Sequence, residues 1–224
     1  EEKNMSLTKD FRKALEAMDG MLFPDHPYGT QTVLGTQEHL KNPSITNIKN
    51  YQKTYYVPNN MAICLSGDFD PDEMVAVIEK YFGQMQPNKD LPEITLATSS
   101  VIESPVEKDV YGLDAENIMI GWKYPGAKSE DALVAEVAAS VLYNGSAGLI
   151  DLNINQQQKV LGAYGMSYGR PDAGEFILMG NPKQGQTLEE VRDILLAEVA
   201  KLRNGEFDDA VLSGTVNNMK KMMM

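Results

Sequence analysis

The segment from residue 117 to residue 124 constrains the fold most, because its side chains alternate between two classes along the chain. Apolar residues stand at every second position, namely Ile118, Ile120, Trp122 and Tyr124. Between them lie Asn117, Met119, Gly121 and Lys123. A period of two predicts a β-strand, because successive side chains of a strand point to opposite faces.

Three other segments are predicted strands. Two of them, Gly162 to Tyr168 and Glu175 to Met179, are joined by the turn-forming run Pro171-Asp172-Ala173-Gly174. Tight turns of this kind favour antiparallel pairing, with helices packed on one face of the sheet. The apolar run from Met61 to Ser66 is predicted to be a buried strand, and its Cys64 a buried thiol that acts as a small hydrophobic group.

The best-defined helix start lies at Asp70. Asp70 suits the N-cap, Pro71 suits the first helical position and Glu73 completes an arrangement like a capping box. Gly83 ends this helix. Further helices are predicted over residues 8–22, after the caps Ser44, Ser129 and Thr187, over Leu149 to Gln157 and from near Asp208.

These elements together predict the α+β class, with mainly antiparallel sheet and helices packed on one face. Residues 84–105 differ from their surroundings, because Pro87, Pro92 and Pro105 punctuate a polar stretch. We therefore predict a first domain over residues 1–84, a linker over 85–105 and a second domain over 106–224.

Charge and hydropathy exclude two classes of partner. The net charge is −12, with 32 acidic and 20 basic residues, and a surface this negative repels nucleic acid and anionic membranes. No run approaches the roughly 18 apolar residues of a membrane-spanning helix. A single cysteine rules out an intramolecular disulfide, which leaves the compartment open. We favour the periplasm or cell envelope over the cytoplasm.

Catalytic motifs are scarce. The two histidines, His26 and His39, belong to no His-x-x-Glu-His or His-Glu-x-x-His pair. We interpret His26 as a positioned loop residue and His39 as an exposed one. A Ser/His/Asp triad is not supported, because the sequence contains no Gly-x-Ser-x-Gly turn. No glycine-rich loop has the spacing that binds phosphate.

Several motifs, in a consistent order, resemble one family of enzymes. They are Leu22-Phe23-Pro24-Asp25-His26-Pro27-Tyr28-Gly29, Leu34-Gly35-Thr36-Gln37-Glu38-His39-Leu40, Tyr55-Tyr56-Val57-Pro58-Asn59-Asn60-Met61, Leu65-Ser66-Gly67-Asp68, Glu79-Lys80-Tyr81-Phe82-Gly83 and Leu142-Tyr143-Asn144-Gly145-Ser146-Ala147-Gly148-Leu149. The chain resembles the pitrilysin/insulinase (inverzincin) family of zinc metallopeptidases. The likeness implies two homologous-type α+β units, both partial, from a clam-shell enzyme.

The resemblance also implies a zinc ligand. The family holds zinc with the histidines of a His-x-x-Glu-His helix and with a glutamate about 75 residues later. Counting back from His26 puts that glutamate at Glu2, or at Glu1 if the register slips by one. We therefore expect this chain to be a piece of a longer zinc endopeptidase, and expect no tightly bound metal and no catalytic residue in the piece itself. The partners implied are a peptide substrate, which would add as a strand to a sheet edge, and a homologous subunit.

Two other interpretations stay open at this point. The first is a non-catalytic subunit of the same fold, which binds an active partner or a peptide. The second is an unrelated soluble binding domain whose likeness to the family is accidental.

Overall fold

The computed structural model describes residues 1–93, 95 and 97–222. Residues 94 and 96 of the predicted linker, and residues 223 and 224 of the predicted second domain, lie outside the described part. The chain packs into two compact units, one formed by Glu1–Leu34 with Leu96–Met224 and the other by Gly35–Thr95. Spatial packing and homologous domain borders are different properties, so the predicted division at 1–84, 85–105 and 106–224 stays a prediction.

Helices follow the predicted caps closely. In chain order they are α1 (Glu2–Leu7), α2 (Asp10–Leu22), α3 (Pro27–Thr30), α4 (Gln37–Lys41), α5 (Ile45–Tyr55), α6 (Pro71–Phe82), α7 (Glu130–Leu142), α8 (Leu188–Asn204) and α9 (Asp209–Met222). Short turns of 3₁₀ helix at Pro58–Asn60 and of π-helix at Asp151–Asn155 complete the set. None of the described helices is long and apolar enough to cross a membrane.

The predicted caps form the expected hydrogen bonds. Thr187 and Glu190 make a reciprocal capping box at the start of α8. Asp70 accepts from two backbone N–H groups at the start of α6, and Ser129 accepts from one at the start of α7. Gly205 ends α8 in the left-handed conformation.

Three antiparallel strands form one sheet in the larger unit, with β3 in the centre. They are β1 (Ile118–Pro125), β2 (Gly162–Gly169) and β3 (Ala173–Asn181), in the spatial order β1-β3-β2. The antiparallel α+β prediction is therefore confirmed.

Both faces of the central strand are buried. Ile177 and Leu178 are neighbours in β3, so their side chains point to opposite faces, and both are fully buried. On the Leu178 face, α7 and α8 bring Val141, Val191 and Leu195 into the larger core cluster. Burying each such side chain contributes about 2 kcal/mol relative to leaving it exposed.

The Ile177 face is covered by α2. Met18, Leu22 and Phe23 pack with Ile177 into a second cluster. The sheet thus carries α7 and α8 on one face and α2 on the other. The end of the predicted linker contributes to this cluster too, because Ile102 packs against it.

Asp10 fastens the start of α2 to the loop that precedes β1. Its carboxylate accepts from Lys13 Nζ at 2.7 Å and from the backbone N–H groups of Leu113 and Asp114. The bond from Lys13 and the two backbone bonds lower the pKa of Asp10 to about 2. This carboxylate therefore stabilises the folded state above its ordinary pKa, and the contribution is lost as the pH falls toward 2.

Two predictions about the smaller unit are wrong. The segment from Met61 to Ser66 forms no strand, and Cys64 is exposed rather than buried. Ile63 and Leu65 are also exposed, at 45% and 49%. A strand is stable only when a neighbouring strand takes its backbone hydrogen bonds, and within the described residues 35–93 and 95 the structure has none.

Side chains of two asparagines hold the smaller unit together instead. The Asn59 amide exchanges two hydrogen bonds with the backbone of Asn88, at 2.8 and 2.9 Å. Asn88 Nδ2 in turn donates to the carbonyl of Thr54 at the end of α5. These bonds fix the segment after α6 against the end of α5.

In the larger unit, Gly29 provides a test of how closely α3 packs against the end of α2. A Cβ at Gly29 would overlap the backbone carbonyl oxygens of Phe23 and Asp19, which cannot move independently of α2. We expect Gly29→Ala to lower the free energy of unfolding by about 3 kcal/mol. Gly214→Ala is the matched control, because a Cβ at Gly214 meets nothing within 4 Å and alanine favours the helix α9. Urea unfolding measures both; equal losses would contradict the proposed overlap.

Candidate functional site

A buried histidine links α3 to the β2–β3 turn. His26 is completely buried and lies at the N-cap of α3, where Pro27 fixes the first helical position. Its Nδ1 accepts from the backbone N–H of Tyr28 at 3.0 Å, so its Nε2 carries the proton. That Nε2–H donates to Asp172 Oδ2 at 3.1 Å. Both ring nitrogens are thus used in positioning, as predicted for a loop histidine.

Next to His26, one guanidinium bridges two carboxylates. Arg170 Nη2 donates a hydrogen bond to Asp19 Oδ1 of α2 at 2.9 Å, and the same nitrogen forms an ion pair with Glu175 Oε1 of β3 at 2.6 Å. The guanidinium also lies over the ring of Tyr28 at 4.3 Å and over that of Phe23 at 5.1 Å. We call Asp19, Arg170 and Glu175 the Arg170 clasp.

The Arg170 clasp contains more acid than base. Glu175 is 6% exposed, and its Oε2 has no hydrogen-bond partner among the described residues. Burial raises the pKa of Glu175 from 4.5 to about 7, and the charge of Asp19 adds to the rise while Arg170 opposes it. Glu175 is therefore mostly protonated at mildly acidic pH in the folded chain.

A second polar group adjoins the clasp. The Asp25 carboxylate accepts from the backbone N–H of Ser100 at 3.1 Å and from the Ser99 hydroxyl at 3.3 Å. Hydrogen bonds from the side chain and the backbone N–H of Ser100 lower the pKa of Asp25, and the Ser99 hydroxyl adds to the effect. Lys123 of β1 donates to Ser99 Oγ at 2.9 Å and to the carbonyl of Ser100. The chain after residue 97 is thereby tied to both α3 and the sheet.

Glu2 and Glu1, the two predicted ligand candidates, are exposed. Glu2 is the first residue of α1 and Glu1 is its N-cap residue. Over the described ranges 1–93, 95 and 97–222, no three His, Cys, Asp or Glu side chains come together as a metal site. His39 lies exposed in α4, as predicted. The structure brings none of the sequence-predicted chemical residues together.

The residues that do come together were missed by sequence reasoning. Asp19, Arg170, Asp172 and Glu175 carry no motif, and His26 lies 146 positions from Asp172. One signal was available: β3 reads as a continuous apolar run over 176–179, which is typical of a strand buried on both faces. An acidic residue at the start of such a strand needs a partner.

Comparison with known families identifies the chain. Residues 44–219 match the family model described as the peptidase M16 inactive domain. This chain belongs to the M16 peptidase family. The match excludes the interpretation of this chain as an unrelated binding domain. It also confirms the likeness to the pitrilysin/insulinase peptidases.

Two curated relatives of this M16 chain are named as proteases. The zinc protease PqqE of Helicobacter pylori (strain ATCC 700392 / 26695) is 22% identical over 204 residues, which cover 87% of this chain and 45% of the relative. The uncharacterized zinc protease ML0855 of Mycobacterium leprae (strain TN) is 37% identical over 62 residues, 28% of this chain and 14% of the relative. The M16 chain therefore spans less than half of either relative.

Solved structures of low identity share the M16 fold. A chain of Complex III2 from Candida albicans, with Inz-5 bound, has a TM-score of 0.78 at 19% identity, over 98% of this chain and 54% of that one. Pitrilysin has a TM-score of 0.65 at 19% identity, over 94% of this chain and 24% of that one. At these identities the likeness establishes the fold alone.

The two histidines form a matched pair for testing the site. We expect His26→Ala to cost about 3 kcal/mol of unfolding free energy, because it removes a buried ring, takes one of two hydrogen bonds from Asp172 Oδ2 and leaves the Tyr28 N–H without its acceptor. His39→Ala removes an exposed ring and should change the value by less than about 0.5 kcal/mol. Chemical denaturation monitored by circular dichroism gives both numbers. A His26→Ala loss no larger than that of His39→Ala would contradict the positioning role.

Proposed function

We propose that this chain is the scaffold and chamber-wall part of a zinc-dependent endopeptidase that cleaves peptides or small unfolded proteins. The match of residues 44–219 to the inactive domain of the M16 family carries the proposal. Both curated relatives reported above bear the name zinc protease. This supports a hydrolase as the parent protein, meaning the longer protein of which this chain is proposed to be a part. In this proposal Glu2 is the third zinc ligand of the parent protein.

The residues at hand do not fit a complete zinc site. A catalytic zinc needs three protein ligands and an open position for water. The ligand candidates that the family resemblance gives are the adjacent carboxylates Glu1 and Glu2, both exposed at the start of α1, and in the described part of the chain no cluster of three ligating side chains accompanies them. We therefore assign no hydrolytic step to this chain, and the remaining ligands and the general base are proposed to lie elsewhere in the parent.

The position of Glu2 has a structural basis in this chain. Lys3 Nζ of α1 lies 3.8 Å from Glu16 Oε1 of α2, and α2 covers one face of the sheet. A carboxylate at the start of α1 is thus attached, through α2, to the buried core. A metal ligand needs this kind of support, because small misplacements weaken metal binding.

The ligand proposal is tested by two neighbouring substitutions in the parent protein. We expect Glu2→Gln to lower zinc occupancy and peptide hydrolysis by at least about tenfold, since even residues that only orient a ligand have effects of this size. Glu1→Gln is the matched control and should leave both unchanged. Zinc is measured by mass spectrometry of the purified protein and turnover with a fluorogenic peptide. The opposite pattern would move the ligand to Glu1, and unchanged values for both variants would overturn the assignment.

A non-catalytic subunit of the same fold is the second candidate. The description of the matched domain as inactive favours it, and so does the likeness to a chain in the Candida albicans Complex III2 assembly. In this case the parent would bind a peptide or a homologous subunit without hydrolysing it. The two candidates differ in one measurement: a parent purified without zinc, and inactive after zinc is added, favours the subunit. The compartment, for which we favour the periplasm or cell envelope, stays a prediction.

A further inference from the structure

The Arg170 clasp joins two elements whose attachment is otherwise apolar. Asp19 belongs to α2, Glu175 belongs to β3, and Arg170 lies in the turn between β2 and β3. α2 and β3 also meet in the apolar cluster around Met18, Leu22, Phe23 and Ile177. Apolar contact is non-directional, so the clasp is what gives this attachment a response to charge.

The charges around Glu175 do not balance when its carboxyl is ionised. Arg170 supplies one positive charge for two carboxylates, Asp19 and Glu175. Lys123 is paired with Glu175 across β1 and β3, but its ammonium group binds Ser99 and Ser100 instead. On the other side, the residue paired with Glu175 is Tyr168 of β2, which is uncharged.

His26 does not supply a second positive charge to the Arg170 clasp. His26 bonds Asp172 through Nε2–H, and its Nδ1 has to accept from the Tyr28 N–H. A second proton on Nδ1 would break that bond, so the ring is neutral in this arrangement. Asp172 also accepts from the backbone N–H of Ala97, at 3.3 Å. Asp172 is thus held by His26 and Ala97.

We propose that the Arg170 clasp is a protonation-dependent latch, which holds α2 on β3 while Glu175 is neutral and loosens when Glu175 ionises. A neutral Glu175 can donate a hydrogen bond to Asp19, so one guanidinium and one carboxylate remain charged. Ionised Glu175 leaves a second, buried carboxylate beside Asp19, with an oxygen that no group in the described structure satisfies. The unfavourable charge is relieved when α2 moves away and water reaches Glu175.

The direction of the pH effect follows from proton linkage. The closed latch holds the Glu175 proton up to about pH 7, whereas an exposed glutamate loses it near 4.5. The closed form therefore binds more protons than the open form between these values, and its stability falls as the pH rises. With these two values, the equilibrium constant for opening should be about tenfold larger at pH 8 than at pH 6.

Hydrogen exchange of the whole chain tests the latch. Amide exchange of α2 is followed by mass spectrometry at pH 6 and pH 8 and corrected for the intrinsic rate at each pH. We expect opening of α2 to increase about tenfold between the two pH values. The helix α8 packs on the opposite face of the sheet and serves as the internal reference, which should change much less.

Two substitutions decide whether Glu175 is the titrating group. Glu175→Gln keeps a neutral side chain at all pH values and should abolish the tenfold change in α2. Glu116→Gln, at an exposed carboxylate before β1, is the matched control and should retain it. If Glu175→Gln fails to fold, Asp19→Asn is used instead; it leaves the burial of Glu175 in place but removes the charge that adds to the rise of its pKa, and it should reduce the change.

Two outcomes would overturn the proposal. In the first, Glu175→Gln, or Asp19→Asn in its place, shows the same pH dependence in α2 as the unmodified chain. In the second, α2 and α8 lose protection in parallel, which indicates global unfolding rather than release of α2. Neither measurement involves zinc or peptide hydrolysis, so the latch and the proposed function can fail independently.

Discussion

The burial of β3 on both faces is the constraint on which the larger unit depends. Ile177 and Leu178 point in opposite directions, and each needs a helix to exclude water from it. The chain supplies α8 from the residues that follow the strand, but it supplies α2 from more than 150 positions earlier, since α2 ends at Leu22. The two ends of the sequence are thereby joined in one core. The cluster around His26 and Arg170 exists because this closure puts the end of α2 beside the β2–β3 turn.

Elements with local causes could be predicted from the sequence. The caps at Ser44, Asp70, Ser129 and Thr187 satisfy N–H groups two or three residues away, so each helix start is encoded within a few positions. The alternation in β1 and the turn between β2 and β3 are local as well. The segment from Met61 to Ser66 was mispredicted because an apolar run forms a strand only beside another strand, and no property of the run itself supplies one.

The candidate site could not be predicted in this way, because its residues are far apart in the sequence. Its members come from α2, from the loop before α3 and from a turn far along the chain, and only the closed core brings them together. The sequence indicated that His26 would be positioned, because it stands between Asp25 and Pro27 in a loop that cannot continue a helix. The partner Asp172 could not be inferred, because hydrogen-bond partners at that separation depend on the tertiary fold. The family resemblance suggested Glu2, a residue outside this cluster.

Two single-copy residues give each unit a spectroscopic reporter of its own. Cys64, the sole thiol, is exposed in the smaller unit, and Trp122, the sole indole, stacks on Phe176 in the sheet of the larger unit. A maleimide dye on Cys64 would therefore report on the smaller unit, and the emission of Trp122 on the larger one, without any mutation. The unfolding of each unit could be followed separately in the same sample.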